Sequence, residues 1–206
     1  MIHVFVESNW VVEVCAPAFR RTPEAMTLLA AAAGGDIAVH VPGIAFREGR
    51  SVIRRKYQPR EAKALQDFRR WARDRGEITP DVDNAANDLL SRFSNSVNAD
   101  LDRLADRIRE VESSPGVDVF ALSEAMLQRS LQLRDEVPDA ELNPFDEAML
   151  GGVLGRAAEL DGAEKIIFCT LDRDLSPADK HGNPRPRLKA LYDAAAIEVR
   201  TRFDIS

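Results

Sequence analysis

The chain predicts an α/β fold: a mostly parallel central sheet flanked by helices, with a mainly helical insertion at about residues 57–115. Three observations predict it. Short β-branched runs alternate with helical segments from the first residues onward. The run Ile166–Cys169 is apolar without interruption, as in a strand buried on both faces of a parallel sheet. The middle of the chain carries helical periodicity over several turns.

Taken in order, Ile2–Val6 (IHVFV) is the first strand, ended by the polar triplet Glu7-Ser8-Asn9. Trp10–Ala18 reads as a helix or an irregular link as far as Pro17. Thr22-Pro23-Glu24 starts a helix, with Thr as cap and Pro at the first helical position, and Gly34-Gly35 ends it. Asp36–Val41 is a second strand, and Ile44–Lys56 the helix after it. Glu48 stands one turn from both Ile44 and Val52, on or beside the buried face, where a carboxylate needs a partner.

Pro59–Arg75 reads as a basic helix and Asp81–Glu112 as one long amphipathic helix, stepping from Val82 to Val111 by threes and fours. The same stepping suits a coiled-coil seam in a homodimer. Val117–Phe120 is a short strand, and Ser123 caps a helix from Glu124 to about Leu133. Pro144-Phe145-Asp146-Glu147 opens a helix whose first-turn acids suit its dipole. Gly151-Gly152 inside that helix allow another backbone to come close. After the Lys165–Cys169 strand and a loop over Ser176–Pro186, Arg187–Ala196 is a helix and Ile197–Phe203 an alternating edge strand.

Length suits one domain over residues 1–206. No apolar run approaches the roughly 20 residues of a membrane span, and the N-terminus lacks the pattern of a signal peptide. Cys15 and Cys169 lie among apolar residues and read as reduced core thiols of a cytoplasmic protein. His3, His40 and His181 are scattered, without metal-ligand spacing. Between Arg47 and Arg75 stand eleven Lys/Arg against four acids, a net +7, so the rest of the −6 chain carries −13. A basic segment on an acidic chain is the footprint of a polyanion partner or a solvated helix face.

The acids fall where chemistry sits in open α/β sheets, at the carboxyl ends of strands. Glu7 ends the first strand, Glu48 lies in the helix after the second, Asp146 opens a helix, and Asp172 and Asp174 follow Cys169. Carboxylates sharing a cleft repel one another unless a cation holds them. Mg²⁺ or Mn²⁺ prefers such oxygens, and a site of that kind suits phosphodiester hydrolysis. No Gly-rich GxxxxGK loop is present, and Glu7-Ser8-Asn9 offers no Asp nucleophile for another phosphohydrolase.

Four stretches in order resemble the PIN domain, the nuclease family that includes the VapC toxins: HVFVESNWVVE, IAVHVPGIAFREGRSVI, NPFDEAMLGGVL and IIFCTLDRDLSP. The resemblance implies a three-layer α/β/α domain and a metal-dependent endoribonuclease, toxin-like and with an antitoxin or other protein as a further partner. It implies Glu7, Glu48, Asp146 and Asp172 as catalytic acids. Glu7, Asp146, Asp172 and Asp174 are its metal ligands, for Mg²⁺ or Mn²⁺. Ser8, Asn9 and Thr170 would position ligand or water. RNA phosphates would meet the basic segment, Arg54 and Arg55 included. The chain departs from the family in having Glu7 where Asp is usual, in offering Glu147 beside Asp146, and in its long middle segment. The alternative reading is a module that kept the fold, lost a good metal site at Glu7, and binds nucleic acid or protein.

Overall fold

A computed structural model describes residues 1–57, 60–160 and 162–205, with side chains described except at positions 19 and 60–62. Five strands, β1 (Ile2–Val6), β2 (Ile37–Pro42), β3 (Val117–Phe120), β4 (Lys165–Cys169) and β5 (Ile197–Arg200), form one sheet in the order β3-β2-β1-β4-β5. Every pairing is parallel, with Val6 opposite Cys169 and Phe5 opposite His40. Helices cover the sheet in a three-layer α/β/α arrangement. Val4, Phe5, Val6, Val39, Val41, Ile167, Phe168 and Cys169 are all buried. Their apolar side chains leave no face of the central strands for water, and this continuity made the strands readable in the sequence.

Helix α1 (Ser8–Cys15) begins directly after β1, earlier than the Trp10 start read from the sequence, because the Glu7 side chain caps it. After a short 3₁₀ turn at Ala18–Arg20, α2 (Pro23–Gly34) runs between the expected Pro and Gly signals. Helix α3 (Gly43–Lys56) leaves β2 without a loop and crosses α1 at Gly49. A Cβ there would lie 2.8 Å from the Val11 side chain, so only glycine lets the two helices meet this closely beside Glu48.

The basic helix is α4 (Arg60–Asp74); its expected start at Pro59 lies outside the described residues. The long helix expected over Asp81–Glu112 is two: α5 (Pro80–Asp102) and α6 (Leu104–Glu112), parted at Arg103. The break re-aims the chain so that Leu104, Ile108 and Val111 pack into the core, with α6 against α1 and α3. The apolar stepping runs through the break unchanged, and no Gly or Pro marks it in the sequence.

Helix α7 (Glu124–Glu136) crosses α8 (Pro144–Ala158) at Gly151, where a Cβ would stand 2.7 Å from the Met126 carbonyl oxygen. The close approach expected at the glycine pair is therefore present. Helix α9 (Pro186–Ala194) precedes β5, which stops at Arg200 and not at Phe203; the chain bends there and Phe203 turns into the core.

The histidines read as scattered are partly joined across strands. His3 Nδ1 lies 2.9 Å from His40 Nε2, and His40 Nδ1 lies 2.8 Å from Asp118 Oδ2, which also accepts from Arg156. Asp118 is held ionised, below the usual carboxylate range, against the raising effect of burial, by Arg156 and His40. It accepts, so the proton sits on His40 Nδ1 and His3 donates to His40 Nε2. Burial lowers both imidazole pKa values, which keeps this row neutral apart from its terminal ion pair.

Candidate functional site

The carboxyl edge of the sheet is built around Glu7, only 2% exposed. Its Oε2 accepts from the Asn9 backbone N–H at 2.7 Å and from Ser8 Oγ at 3.1 Å. Its Oε1 accepts from the Leu171 N–H at 3.1 Å and from Thr170 Oγ1 at 3.5 Å. One carboxylate thus caps α1 and staples the end of β1 to the turn after β4, a reach that Asp, one methylene shorter, would not have. Burial pushes the Glu7 carboxyl up, and the Asn9 and Leu171 N–H groups, with the Asn9 and Ser8 side chains, work against it.

Thr170 is fully buried and shapes the acid turn. Its Oγ1 accepts from the Asp172 N–H at 3.0 Å, and Asp172 Oδ1 accepts from the Asp174 N–H at 2.8 Å. Asp172 and Asp174 are half-buried. Asp174 faces Arg185 at 3.6 Å, whereas Asp172 has no cation within ion-pair distance among the described residues.

Asp146 opens α8 in a capping box. Asn143 Oδ1 accepts from the Phe145 and Asp146 N–H groups, and Asp146 Oδ2 accepts from the Asn143 N–H at 3.2 Å. Of the two first-turn acids, Glu147 is buried against Arg134, whose Nε donates to it at 2.8 Å. Asp146 is 4% exposed and has no such partner among the described residues. Burial pushes its carboxyl up to about 6; the charges of Asp172, Asp174 and Glu48 push the same way, against the Asn143 N–H. Three acids from two other stretches of sequence therefore act on Asp146. Glu48, half-buried on α3 where a carboxylate needs a partner, has no ion-pair partner among the described residues.

The other expected site residues divide. Asn9 and Thr170 stand at this edge as neighbours of Glu7. Arg54 and Arg55 are exposed at the far end of α3, Arg54 about 9 Å along the helix axis beyond Glu48. The cations beside the acids are ones the sequence reading passed over. Arg173 in the acid turn, and Lys180, His181 and Arg185 in the loop after it, line a cleft of about 570 Å³ together with the acids Asp139, Glu141, Asp174 and Asp179. An adjoining cleft of about 470 Å³ includes Asp172, Arg173 and Lys180.

This loop is tied in place. Asp179 accepts from the His181 and Asn183 N–H groups and from Asn183 Nδ2, which hold its carboxyl down at about 2. Arg185, nearly buried, donates to the carbonyls of Arg173, Asp174 and Ser176, and Tyr192 Oη donates to the Leu175 carbonyl. A run of charge next to the acid turn was the available signal, but its position over the acids depends on these tertiary bonds.

As a donor set, Asp146, Asp172 and Glu48 are hard oxygen ligands with excess negative charge, the chemistry that Mg²⁺ or Mn²⁺ takes. Among the described residues, no three Asp, Glu, His or Cys side chains are spaced to enclose an ion. Mg²⁺ keeps several waters and is held by one or two carboxylates, so a site for it does not require three. Glu7, engaged by four donors, and Asp174, facing Arg185, are less available.

Compared with known proteins, the chain matches no family model, no curated protein and no solved structure.

Proposed function

We propose that this chain is a Mg²⁺- or Mn²⁺-dependent endoribonuclease of PIN type, with its centre at Asp146 and Asp172. The observation that carries the reading is the Asp146 carboxyl, buried without an ion-pair partner among the described residues and pushed up to about 6, first by burial and then by the charges of Asp172, Asp174 and Glu48. A buried carboxyl with like charges around it is expected where a site awaits a divalent ion. When bound, the ion supplies a Lewis acid for the phosphoryl oxygen and an activated water. Asp146 and Asp172 would hold it, and Glu48 would add negative charge beside it. Thr170 and Glu7 orient the Asp172 turn. Arg173 and Lys180 line the adjoining clefts and are suited to receive the phosphates flanking the scissile bond. Cys15 and Cys169 are buried and unpaired, which agrees with a reducing, cytoplasmic setting.

A second reading rests on Glu7. Both of its oxygens are occupied by donors, so an impaired module that binds RNA without cutting it is the alternative. Cleavage of a single-stranded RNA in Mn²⁺ separates the two. The nuclease reading expects cleavage that EDTA stops and that Asp172→Asn nearly abolishes with an unchanged circular dichroism spectrum. RNA binding without Mn²⁺-dependent cleavage supports the module. Full activity in purified Asp172→Asn removes the assignment of the centre.

A further inference from the structure

The α4–α5 pair is the region whose surface the rest of the chain leaves unexplained. Helix α4 packs chiefly on α5, held by the Arg69–Asp83 ion pair at 3.0 Å and by Arg69 with Asn87. Ala72, Leu90 and Val97 are its buried apolar residues. Leu65, Phe68 and Trp71 on α4, and Val82, Leu89 and Phe93 on α5, stand 43 to 69% exposed. Phe68 and Trp71 stack on each other at 5.8 Å, so the patch is continuous along α4. A groove of about 260 Å³ runs between the helices, lined by Leu65, Phe68, Val82 and Leu89 among others, with apolar surface. Scattered single apolar residues need no explanation, but six large ones on one helical hairpin, four of them lining one groove, mark an interaction surface.

Charge and area indicate what covers it. From Lys63 to Arg75, α4 and its end carry five cations against two acids, a net +3. From Asp81 to Asp102, α5 carries five acids against one cation, a net −4. Lys63 and Arg70 are exposed on the first helix, Asp81 and Asp88 on the second. The ion pairs they make, Arg70 with Asp67 and Arg92 with Asp88, are exposed contacts within one helix and hold little energy. A surface with a basic half and an acidic half around an apolar groove is complementary to itself after a two-fold rotation, the geometry of an isologous dimer. Six side chains at these exposures offer roughly 100 Å² each. Two copies together then bury about 1,200 Å², the lower bound of a stable, specific interface.

We propose that the α4–α5 hairpin is the docking surface for a second copy of this chain, with α4 of each copy seated on α5 of the other. The apolar groove supplies the attraction and the two charge halves set the register. The proposal stands apart from the nuclease reading, because no residue in it belongs to the acid edge.

The test is the mass of the full chain in solution, by light scattering at high protein concentration. The wild type is expected at twice 22.9 kDa. Phe68→Glu with Leu89→Glu is expected at the monomer mass with unchanged helicity by circular dichroism. Charge reversal gives an arm that does not depend on core packing. A chain with Lys63→Glu and Arg70→Glu, and a chain with Asp81→Lys and Asp88→Lys, each dimerise at least tenfold more weakly alone, because like halves then face each other. Mixed, the two chains restore attraction at both contacts and form a heterodimer. A wild type that stays at 22.9 kDa overturns the proposal and leaves the groove to a different protein. Dimers that persist in the Phe68→Glu/Leu89→Glu chain overturn it too, and so does a mixture of the charge-reversed chains that stays monomeric.

Discussion

At the carboxyl edge of the sheet, polar groups are buried and answered. Glu7 meets four donors, Thr170 serves the Asp172 turn, Arg185 serves three carbonyls, and Glu147 has Arg134. The departures are Asp146, Asp172 and Glu48, which have no ion-pair partner among the described residues. On the α4–α5 hairpin the situation is reversed: apolar groups are exposed and charges lie in solvent. An unanswered charge inside a satisfied edge points to a small cation, and an uncovered apolar face points to another polypeptide. Each region is anomalous in the currency the other has in surplus, and this separates a chemical site from an assembly site without reference to any relative.

The largest test of this contrast compares two phenylalanines. Phe168 is fully buried in β4, and Phe68 stands 63% exposed on α4. Phe168→Ala is expected to lower stability in urea by about 3–5 kcal/mol through lost burial and a cavity. Phe68→Ala, measured at a concentration too low for dimers, is expected to change it by less than about 0.5 kcal/mol. Equal losses would mean that the hairpin face is covered within one chain, and the contrast would break.

The next effect belongs to Asp146. In the unfolded chain its pKa is the ordinary 3.8, and in the folded chain it is about 6. The folded state therefore holds the proton more tightly. Its contribution is fully present below about pH 4 and is lost as pH rises through about 6, on the order of 2 kcal/mol in EDTA. Glu7, also raised, slopes the same way. Asp146→Asn keeps the oxygen that accepts from the Asn143 N–H and removes the charge. It is expected to flatten most of this slope, leaving the part due to Glu7, and to be about 1–2 kcal/mol more stable than wild type at pH 7. Saturating Mn²⁺ should reverse that order, since it stabilises the folded state that binds it. Urea midpoints across pH, with EDTA and with Mn²⁺, read both effects. A wild-type curve flat from pH 4 to 7 would make Asp146 an ordinary helix cap.

A smaller effect is expected from Glu7→Asp. Asp still caps α1, but its shorter side chain gives up the Leu171 N–H. The loss should be about 1 kcal/mol, with weaker Mn²⁺-dependent cleavage because the Asp172 turn is no longer stapled to β1. A rise in cleavage would instead identify Glu7 as the defect of an impaired nuclease.

What the sequence made legible follows from how locally each feature is encoded. The strands were readable because a strand buried on both faces has no polar alternation. Asp146 and Asp172 were readable because they sit at a helix start and a strand end, positions that composition marks. The start of α1 was missed because its cap is Glu7, outside the usual Ser, Thr, Asp and Asn set. The break at Arg103 was missed because the apolar step continues through it. The exposure of Phe68 and Leu89 was not legible at all: periodicity tells that a helix has an apolar stripe and is silent on what the stripe faces.

The smallest expected effect decides which cations belong to which region. The sequence put phosphate contacts on Arg54 and Arg55, while the clefts beside Asp172 and Asp174 are lined by Arg173 and Lys180. Each phosphate contact on a single strand contributes about 0.7 to the slope of log affinity against log salt. In EDTA, where cleavage is stopped, Arg173→Ala with Lys180→Ala should make the slope for a short single-stranded RNA shallower by about 1.4. Arg54→Ala with Arg55→Ala should change it by less than half of one contact. The two pairs carry equal charge, so a general loss of positive potential would lower both slopes alike. Only a path of RNA along the Asp179-braced loop separates them. If the Arg54/Arg55 pair carries the slope, the RNA runs along α3 toward the hairpin, and the two regions share one ligand.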